Sequence, residues 1–149
     1  MQVRDVMSTE LVTLTEDERL DVAETMMHLA EIRHLPVVRG EQLIGLVSHR
    51  DLLRAQAALI SGAPEKHGDA LRQPILAGDI MTTGIEVVTP STEVLEAARL
   101  IQSRKLGCLP VVDSGRQLVG IITEADFVAL VIARLEAAEG ANDRSWGWG

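Results

Sequence analysis

The sequence GLVSHRD runs from Gly45 to Asp51, and a closely related sequence, GIITEAD, runs from Gly120 to Asp126. Each stretch contains a glycine, an apolar pair, a hydroxyl residue and, three residues after the hydroxyl, an aspartate. An apolar strand that ends at Ser or Thr predicts that a helix begins there, because the side-chain oxygen accepts a hydrogen bond from an unpaired N–H of the first turn. The chain therefore contains the same predicted strand-to-helix junction twice.

The similarity extends outward from these junctions over most of the chain. Asp5 and Met7 recur as Asp79 and Met81, at an offset of 74 residues, and the offset becomes 75 after one inserted residue. The other matched pairs are Thr15/Thr89, Leu20/Val94, Ala23/Ala97, Ile32/Leu106, Pro36/Pro110, Gly45/Gly120, Ser48/Thr123 and Asp51/Asp126. Ten pairs in the same order indicate an internal duplication.

Both repeats predict the same series of elements. A short strand opens each repeat, at Val12–Leu14 and at Val87–Val88. We expect the next helix to begin at Thr15 and at Thr89, because Glu18 completes a capping-box pattern in the first repeat and a proline follows Thr89 in the second. Two strands joined by a tight turn follow, and then a second helix. The order β-α-β-β-α, found twice, predicts an α/β (α+β) fold of two related units.

The repeats are predicted to occupy residues 1–60 and 77–138. Residues 61–76 between them are rich in glycine, proline and charge, which predicts an exposed linker. The hydrophobic pattern ends after residue 138, so residues 139–149, which include both tryptophans, are expected to form a flexible tail.

Composition argues against several classes of protein. The formal net charge of -8 argues against a nucleic-acid-binding protein, because contacts to a phosphate backbone need clustered Lys and Arg. The longest apolar run, Phe127–Ala133, is too short to cross a bilayer, so we expect no membrane association. A single cysteine, Cys108, cannot form an internal disulfide, and the N-terminus lacks the pattern of a signal peptide. These features favour a cytoplasmic location.

The sequence contains no pattern that predicts catalysis or a metal site. It has no P-loop, no G-x-S-x-G motif, and no Cys/His pair with an activating neighbour. The four histidines lack the spacing of metal ligands, such as two His at i and i+4 of one helix. Cys108 precedes an apolar strand and is expected to be a small buried thiol rather than a nucleophile. We therefore expect no catalytic residue, no metal and no required cofactor.

The Ser/Thr-x-x-Asp junctions allow two interpretations. Each resembles a capping box, in which side chain and backbone simply complete the start of a helix, although Glu or Gln is the usual partner. The same geometry suits a nucleotide, because a helix N-terminus attracts phosphate and a carboxylate accepts hydrogen bonds from two adjacent ribose hydroxyls. Capping and ligand binding are compatible, and the sequence leaves both open.

The ordered set of motifs resembles the cystathionine-β-synthase (CBS) domain. The set consists of Asp-Val-Met or Asp-Ile-Met, a Val-Thr strand, Leu-Pro-Val-Val and Gly-x-x-Ser/Thr-x-x-Asp. Two tandem copies resemble a CBS pair, or Bateman module, and the resemblance covers Val3 to about Ala58 and Ala77 to about Ala138. It implies two pseudo-twofold-related units packed through their sheets, with up to two ligand sites in the clefts between them.

The resemblance also implies a function. CBS pairs are non-catalytic regulatory modules whose usual ligands are AMP, ADP or ATP, and less often S-adenosylmethionine or NAD. The family commonly forms homodimers, and several helical apolar residues here support that expectation (Met26, Leu29, Leu52, Leu53, Leu100, Leu130 and Ile132). The regulated protein is not identifiable from sequence. The alternative is an interaction or scaffold module whose cleft binds no ligand.

Site residues follow from the resemblance, position by position. Asp51 and Asp126 match the family's ribose-binding aspartates, and Ser48 and Thr123 match its phosphate-facing hydroxyls. The wall that holds the base is matched by Arg33, His34, Leu35 and Pro36 and by Lys105, Gly107, Cys108, Leu109 and Pro110. The strands that supply backbone groups to the base are matched by Thr13, Leu14, Val87 and Val88.

The two sites are not expected to be equivalent. The first repeat has His49 and Arg50 between its hydroxyl and its aspartate, where the second has Glu124 and Ala125. A cation attracts phosphate and a carboxylate repels it, so the first site should prefer phosphorylated ligands and the second adenosine with little negative charge. Cations at positions 33 and 105 would reverse this preference if the pseudo-twofold axis directed them into the opposite clefts.

Overall fold

The computed structural model describes residues 1–60 and 74–145, and side chains within these ranges up to residue 143. A 3-10 helix, Val3–Asp5, opens the chain. The remaining elements are α1 (Leu20–Ala30), β1 (His34–Arg39), β2 (Gln42–Ser48), α2 (His49–Ile60), α3 (Ala77–Ile80), α4 (Val94–Arg104), β3 (Cys108–Val112), β4 (Leu118–Thr123) and α5 (Glu124–Ser145).

Each repeat is built around an antiparallel hairpin. Strand β1 pairs with β2, and β3 pairs with β4, with a register shift at the equivalent place in both hairpins, Val37/Val38 and Val111/Val112. The strand predicted to open each repeat is reduced to one parallel bridge per repeat, at Leu14 and at Val88. The N–H of Leu14 donates to the Pro36 carbonyl at 2.9 Å, and the N–H of Val38 donates to the Leu14 carbonyl at 2.8 Å.

Two hydrophobic clusters form the core, and the repeats contribute to both. The first contains Leu14, Ala23, Met27, Leu35, Val37, Val47, Leu52 and Ala77; the second contains Val3, Val88, Ala97, Ile101, Leu109, Val111 and Ile122. Val3 belongs to the first repeat in sequence but is buried in the second core. Ala77 belongs to the second repeat but is buried in the first core. The two units therefore exchange their N-terminal segments.

Backbone bridges fix this exchange. Ser8 exchanges hydrogen bonds with Ile121 of β4 at 2.9 and 3.0 Å, and Thr82 does the same with Leu46 of β2. Neither unit is complete without a segment of the other. Divisions at residues 60 and 77 separate the repeats in sequence, but they do not separate two independent cores.

The exchange explains why glycine and methionine recur in the two repeats. A Cβ on Gly45 would lie 2.5 Å from the Sδ of Met81, and a Cβ on Gly120 would lie 2.6 Å from the Sδ of Met7. Each motif glycine thus makes room for the methionine of the opposite repeat. The glycine belongs to the Gly-x-x-Ser/Thr-x-x-Asp motif, so the same motif positions the exchanged segment.

The predicted starts of the first helix in each repeat are wrong. Helix α1 begins at Leu20 and α4 at Val94, five residues after Thr15 and Thr89. The intervening residues form turns whose carbonyls accept hydrogen bonds from the exchanged segments: Ala77 N–H donates to the Glu18 carbonyl at 2.7 Å, and Arg4 N–H donates to the Pro90 carbonyl at 3.0 Å. Contacts between the repeats, which a local capping pattern does not contain, override that pattern.

The C-terminal helix is longer than predicted. The flexible tail was expected from residue 139, but α5 continues through that position to Ser145. Ala137, Ala138 and Ala141 favour this continuation, since alanine has the highest helix propensity. Residues 61–73 of the predicted linker and the tail residues 146–149 lie outside the described residues. Within the described ranges, the helices are too short or too polar to span a bilayer.

Several of the helical apolar residues that support the expected homodimer are buried or partly covered. Leu52 is buried in the first core, and Met26 and Leu100 pack partly buried against the two cores. Leu29, Leu53 and Ile132 are exposed as expected. Helix α5 adds further exposed apolar side chains, at Val128, Val131 and Leu135.

Candidate functional site

The first strand-to-helix junction is a capping box in the structure. The N–H and the Oγ of Ser48 both donate to Oδ2 of Asp51, at 2.8 and 2.9 Å, and the Asp51 N–H donates back to the Ser48 Oγ at 3.1 Å. These bonds hold both side chains at the N-terminus of α2, where the helix dipole is positive. They use one carboxylate oxygen of Asp51, and Oδ1 takes no part in them.

The second junction has the same form with a looser hydroxyl contact. The Thr123 N–H donates to Oδ2 of Asp126 at 2.8 Å, and Thr123 Oγ1 donates to the same oxygen at 3.3 Å. All four side chains are partly buried. Each junction therefore presents a fixed carboxylate and a hydroxyl that still contact open space.

The first cleft is a cavity of about 560 Å³ beside the N-terminus of α2. We call it the first cleft because it contains Ser48 and Asp51. Its opposite wall comes from the second repeat, which contributes Thr82, Ile85 and residues 105–108. It is lined by Arg33, His34, Leu46, Ser48, His49, Arg50, Asp51, Leu53, Thr82, Ile85, Lys105, Leu106, Gly107, Cys108 and Glu124.

The second cleft is a cavity of about 390 Å³ beside the N-terminus of α5. It contains Thr123 and Asp126, and its opposite wall comes from the first repeat. It is lined by Ser8, Glu10, Leu11, Val12, Glu31, Ile32, Arg33, His34, Pro36, Gly107, Ile121, Thr123, Glu124, Ala125 and Asp126. Each cleft is therefore composite, with the aspartate from one repeat and the facing wall from the other.

A common wall separates the two clefts. Arg33, His34, Gly107 and Glu124 line both cavities. A Cβ on Gly107 would lie 2.5 Å from Cε1 and Nε2 of His34, so the imidazole occupies the space that a side chain at position 107 would need. A change in this wall acts on both clefts at once.

The clefts differ in charge. In the first, Arg33, Arg50 and Lys105 face the carboxylates of Asp51 and Glu124. In the second, among the described residues, Arg33 is the one Lys or Arg and faces four carboxylates, those of Glu10, Glu31, Glu124 and Asp126. Although these carboxylates share a cavity, no group of three His, Cys, Asp or Glu in the described ranges is arranged to hold a metal ion.

One matched pair of residues accounts for much of this difference. Glu31 and Lys105 occupy equivalent positions and both have left-handed backbone conformations, with φ of 54° and 53°. Glu31 lines the second cleft and Lys105 the first, so each residue lies at the cleft that contains the aspartate of the other repeat. The pseudo-twofold axis thus adds a cation to the first cleft and a carboxylate to the second. It strengthens the charge difference between His49-Arg50 and Glu124-Ala125.

Two titratable groups at equivalent positions have shifted pKa values. Burial lowers the pKa of His34 from 6.5, while Glu124 and Asp51 act to raise it and Arg33 to lower it further. Burial raises the pKa of the Cys108 thiol to about 12. A thiol with this pKa remains protonated at neutral pH and is a poor nucleophile.

Similarity to known proteins agrees with this architecture. The model of the CBS domain family matches residues 3–58 and 77–133. The chain belongs to the CBS domain family. Its two matched segments form a tandem CBS pair, with the pseudo-symmetric fold of solved CBS pairs.

Individual relatives cover nearly the whole chain. A CBS domain-containing protein of Dictyostelium discoideum is 34% identical over 137 residues, which is 90% of this chain and 93% of that protein. Among solved structures, AcuB of Vibrio cholerae is 36% identical with a TM-score of 0.81, and the match covers 93% of this chain and 97% of that chain.

Other relatives differ in ligand or in length. The structure of CBSX2 with AMP, a CBS-pair protein of Arabidopsis thaliana, is 31% identical with a TM-score of 0.77, covering 89% of this chain and 96% of that chain. Some curated relatives are enzymes in which the match is only a part. This chain spans 24% of the homoserine O-acetyltransferase of Methanohalobium evestigatum.

Most, but not all, of the predicted site residues line a cleft of the CBS pair. The residues that line a cleft are the two capping pairs, residues 49 and 50, Arg33, His34, Pro36, Lys105, Gly107 and Cys108. Leu14, Leu35, Val88 and Leu109 are instead core residues. Pro110 is fully buried, and so is the side chain of Pro36, although Pro36 also lines the second cleft. Thr13 and Val87 line neither cavity. The backbone of Leu14 and Val88 is used in bridges to β1 and β3.

Sequence reasoning missed the contribution of the exchanged segments. Ser8 and Leu11 line the second cleft, and their counterparts at the offset of 74, Thr82 and Ile85, line the first. The repeat itself contained this signal, since these pairs directly follow the recurring Asp-x-Met motif. Only the exchange between units places them beside the aspartate of the other repeat.

Proposed function

We propose that the chain is a non-catalytic regulatory module that binds an adenosine nucleotide, AMP, ADP or ATP, between its CBS domains. The observation that carries the proposal is the pair of composite clefts, each with a Ser/Thr-x-x-Asp junction at a helix N-terminus. The AMP complex of CBSX2, which is 31% identical, supports this class of ligand. No cofactor is required for this role. S-adenosylmethionine and NAD are the next candidates, because they contain the same adenosine group.

The chemistry of each junction fits a nucleotide. Asp51 holds its capping bonds through Oδ2, which leaves Oδ1 to accept a hydrogen bond from a ribose hydroxyl. The Ser48 hydroxyl can turn from the carboxylate to a phosphate oxygen, and the positive end of α2 favours that phosphate. Asp126 and Thr123 offer the same groups in the second cleft.

Ligand sensing follows from the composite geometry. A ligand in either cleft contacts both repeats, so it stabilises the arrangement of the two units that fits it best. A ligand shifts such an equilibrium only by its difference in affinity for the two arrangements. A regulated protein, which we do not identify, would read the arrangement from the outer surface.

A thermal-shift screen tests the proposal directly. A ligand present at about 100 times its dissociation constant adds about 2.7 kcal/mol to stability, which raises the melting temperature of a domain of this size by about 5–10 °C. We expect that shift with at least one of AMP, ADP, ATP, S-adenosylmethionine or NAD. The double variant Asp51→Ala/Asp126→Ala is the matched control, and its shift should be no more than about 1–2 °C. Absence of a shift with every compound would favour an interaction module with a non-binding cleft.

We also propose that the chain acts as a homodimer in the cytoplasm. Exposed apolar side chains on helices α1, α2, α4 and α5 support association with a second copy, since extended apolar surface is uncommon on monomers. They are Leu29, Leu53, Leu95, Val128, Val131, Ile132 and Leu135. Light scattering at tens of micromolar protein should give twice the mass of 16.2 kDa, and a monomer mass would contradict the proposal.

A further inference from the structure

We propose that Arg33 is a cation shared by the two clefts, and that it makes them compete for phosphate. A phosphorylated nucleotide in the first cleft would then weaken the binding of another phosphorylated nucleotide in the second cleft. An uncharged nucleoside would bind the second cleft equally well whether the first cleft is occupied or empty. The inference rests on the proposed nucleotide binding and goes beyond it. It assigns phosphate specificity in the second cleft to one residue and predicts the sign of the coupling between the clefts.

The position of Arg33 carries the first step. Arg33 lines both cavities, and its backbone carbonyl accepts a hydrogen bond from the N–H of His49 at 2.8 Å. The side chain is exposed and, among the described residues, forms no ion pair. Its backbone is therefore fixed in the common wall while its guanidinium remains able to turn to either side.

The unequal charge of the clefts carries the second step. A phosphate in the first cleft meets Arg50 and Lys105 as well as Arg33. In the second cleft, the described lining offers no Lys or Arg other than Arg33 to offset four carboxylates. Phosphate binding in the second cleft thus depends on a residue that the first cleft also attracts. The second repeat has Gly107 at the equivalent position, so it supplies no replacement.

Competition follows in either geometry of the bound state. If the guanidinium turns to a phosphate in the first cleft, the second cleft is left with carboxylates alone. If it contacts both phosphates, its single positive charge is divided between two anions, so each phosphate is bound less tightly than it would be alone. The coupling must be reciprocal, so a phosphorylated nucleotide in the second cleft lowers the affinity of the first cleft for such a nucleotide by the same factor. An uncharged nucleoside does not use the guanidinium and is not subject to this effect.

Calorimetry with AMP and adenosine tests the inference. In Asp51→Ala the first cleft is disabled, so the titration gives the AMP affinity of the second cleft when the first is empty. In the unsubstituted protein, the weaker of the two binding steps gives the AMP affinity of the second cleft when the first is occupied. We expect AMP to bind the second cleft about two- to fivefold more tightly in Asp51→Ala, the range of one exposed ion pair. Adenosine should show no such difference.

Arg33→Gln identifies the residue responsible. When Arg33 is replaced by Gln, the second cleft should bind AMP weakly whether or not the first cleft is occupied. The two- to fivefold difference in AMP affinity should therefore disappear, and the affinity for adenosine should not change. Arg99→Gln, an equal change of charge at an exposed site on α4 that lines neither cleft, should preserve the difference. The inference is wrong if the difference persists in Arg33→Gln, or if Asp51→Ala binds AMP no more tightly than the second step. Failure of every ligand to bind would instead contradict the proposed function.

Discussion

The two clefts have the same architecture and opposite electrostatic character. Both place a Ser/Thr-x-x-Asp junction at a helix N-terminus against a wall from the other repeat, yet cations dominate one lining and carboxylates the other. The two repeats therefore share the junction that, under the proposed function, contacts a ribose, and they differ in the charges of the residues around it. If the proposed function holds, the two clefts should prefer ligands of different charge.

The largest effect should come from removing the aspartate of one cleft at a time. Asp51→Ala removes the proposed hydrogen bonds to the two hydroxyls of a ribose, which are worth about 1.5–3 kcal/mol each when the acceptor is charged, so affinity in the first cleft should fall about a hundredfold or more. Asp126→Ala should do the same in the second cleft only. Two-site calorimetry with adenosine separates them. An equal loss of affinity in both clefts from one substitution would contradict the assignment of one aspartate to each cleft.

Folding should survive these substitutions. Each removes a capping carboxylate, which costs about 0.5–2 kcal/mol, and this is less than the stability of an ordinary domain. Urea unfolding monitored by circular dichroism provides the control. Loss of cooperative unfolding would assign the aspartates a structural rather than a binding role.

The two motif glycines should differ in their contribution to stability. The three atoms nearest to a Cβ on Gly45 all belong to the Met81 side chain, whereas a Cβ on Gly120 would lie 2.6 Å from the Met7 Sδ and 3.1 Å from the Ser8 carbonyl oxygen. Overpacking of this kind costs about 1–3 kcal/mol. Because a backbone carbonyl in a bridge cannot move as a methionine can, Gly120→Ala should be the more destabilising substitution. Urea unfolding of the two variants measures the difference.

A second variant checks the cause of that difference. Gly45→Ala should cost much less stability when it is introduced into the Met81→Ala variant than when it is introduced into the unsubstituted protein. Adding Met7→Ala to Gly120→Ala should recover less, because the Ser8 contact remains. Equal recovery in both repeats would show that the bridge at Ser8 does not restrict position 120.

A smaller effect should follow from exchanging the charges of Glu31 and Lys105. Lys105→Glu places a carboxylate in the first cleft and should weaken AMP there, and Glu31→Lys should strengthen AMP in the second. One exposed charge pair contributes up to about 1 kcal/mol, so changes of about two- to fivefold are expected, decreasing as salt rises. Adenosine is the matched probe and should bind unchanged. Equal shifts for AMP and adenosine would mean that these side chains do not face phosphate.

The smallest effect concerns the equivalent residues His34 and Cys108. The pKa of His34 is lowered by burial, so between that value and 6.5 the unfolded chain binds more protons than the folded one. Stability should therefore fall as the pH decreases below about 6.5 and through the folded-state pKa. Cys108, with a pKa of about 12, contributes nothing in this range.

Unfolding at about pH 7.5 and about pH 5.5 measures this contribution. His34→Gln should reduce the loss of stability between the two conditions. His28→Gln, at an exposed position on α1, should leave it unchanged. A loss of stability that is the same in all three proteins would show that His34 does not contribute to it.

Sequence determined the duplication, the strand-to-helix junctions and the aspartates and hydroxyls that form them. These features are local or periodic, so the spacing of residues is sufficient to predict them. The sequence also showed that the two sites differ, through residues 49 and 50 and their counterparts 124 and 125. It did not show which wall faces which aspartate.

Tertiary structure decided the exchange of the N-terminal segments and everything that depends on it. The exchange moved the helix starts from Thr15 and Thr89 to Leu20 and Val94, because the preceding turns bind the other repeat. It also placed Glu31 in the cleft that contains Asp126, and Lys105 in the cleft that contains Asp51. Contacts between residues far apart in sequence, such as Ser8 with Ile121 and Leu46 with Thr82, are set by the packing of two cores, and no local pattern specifies them.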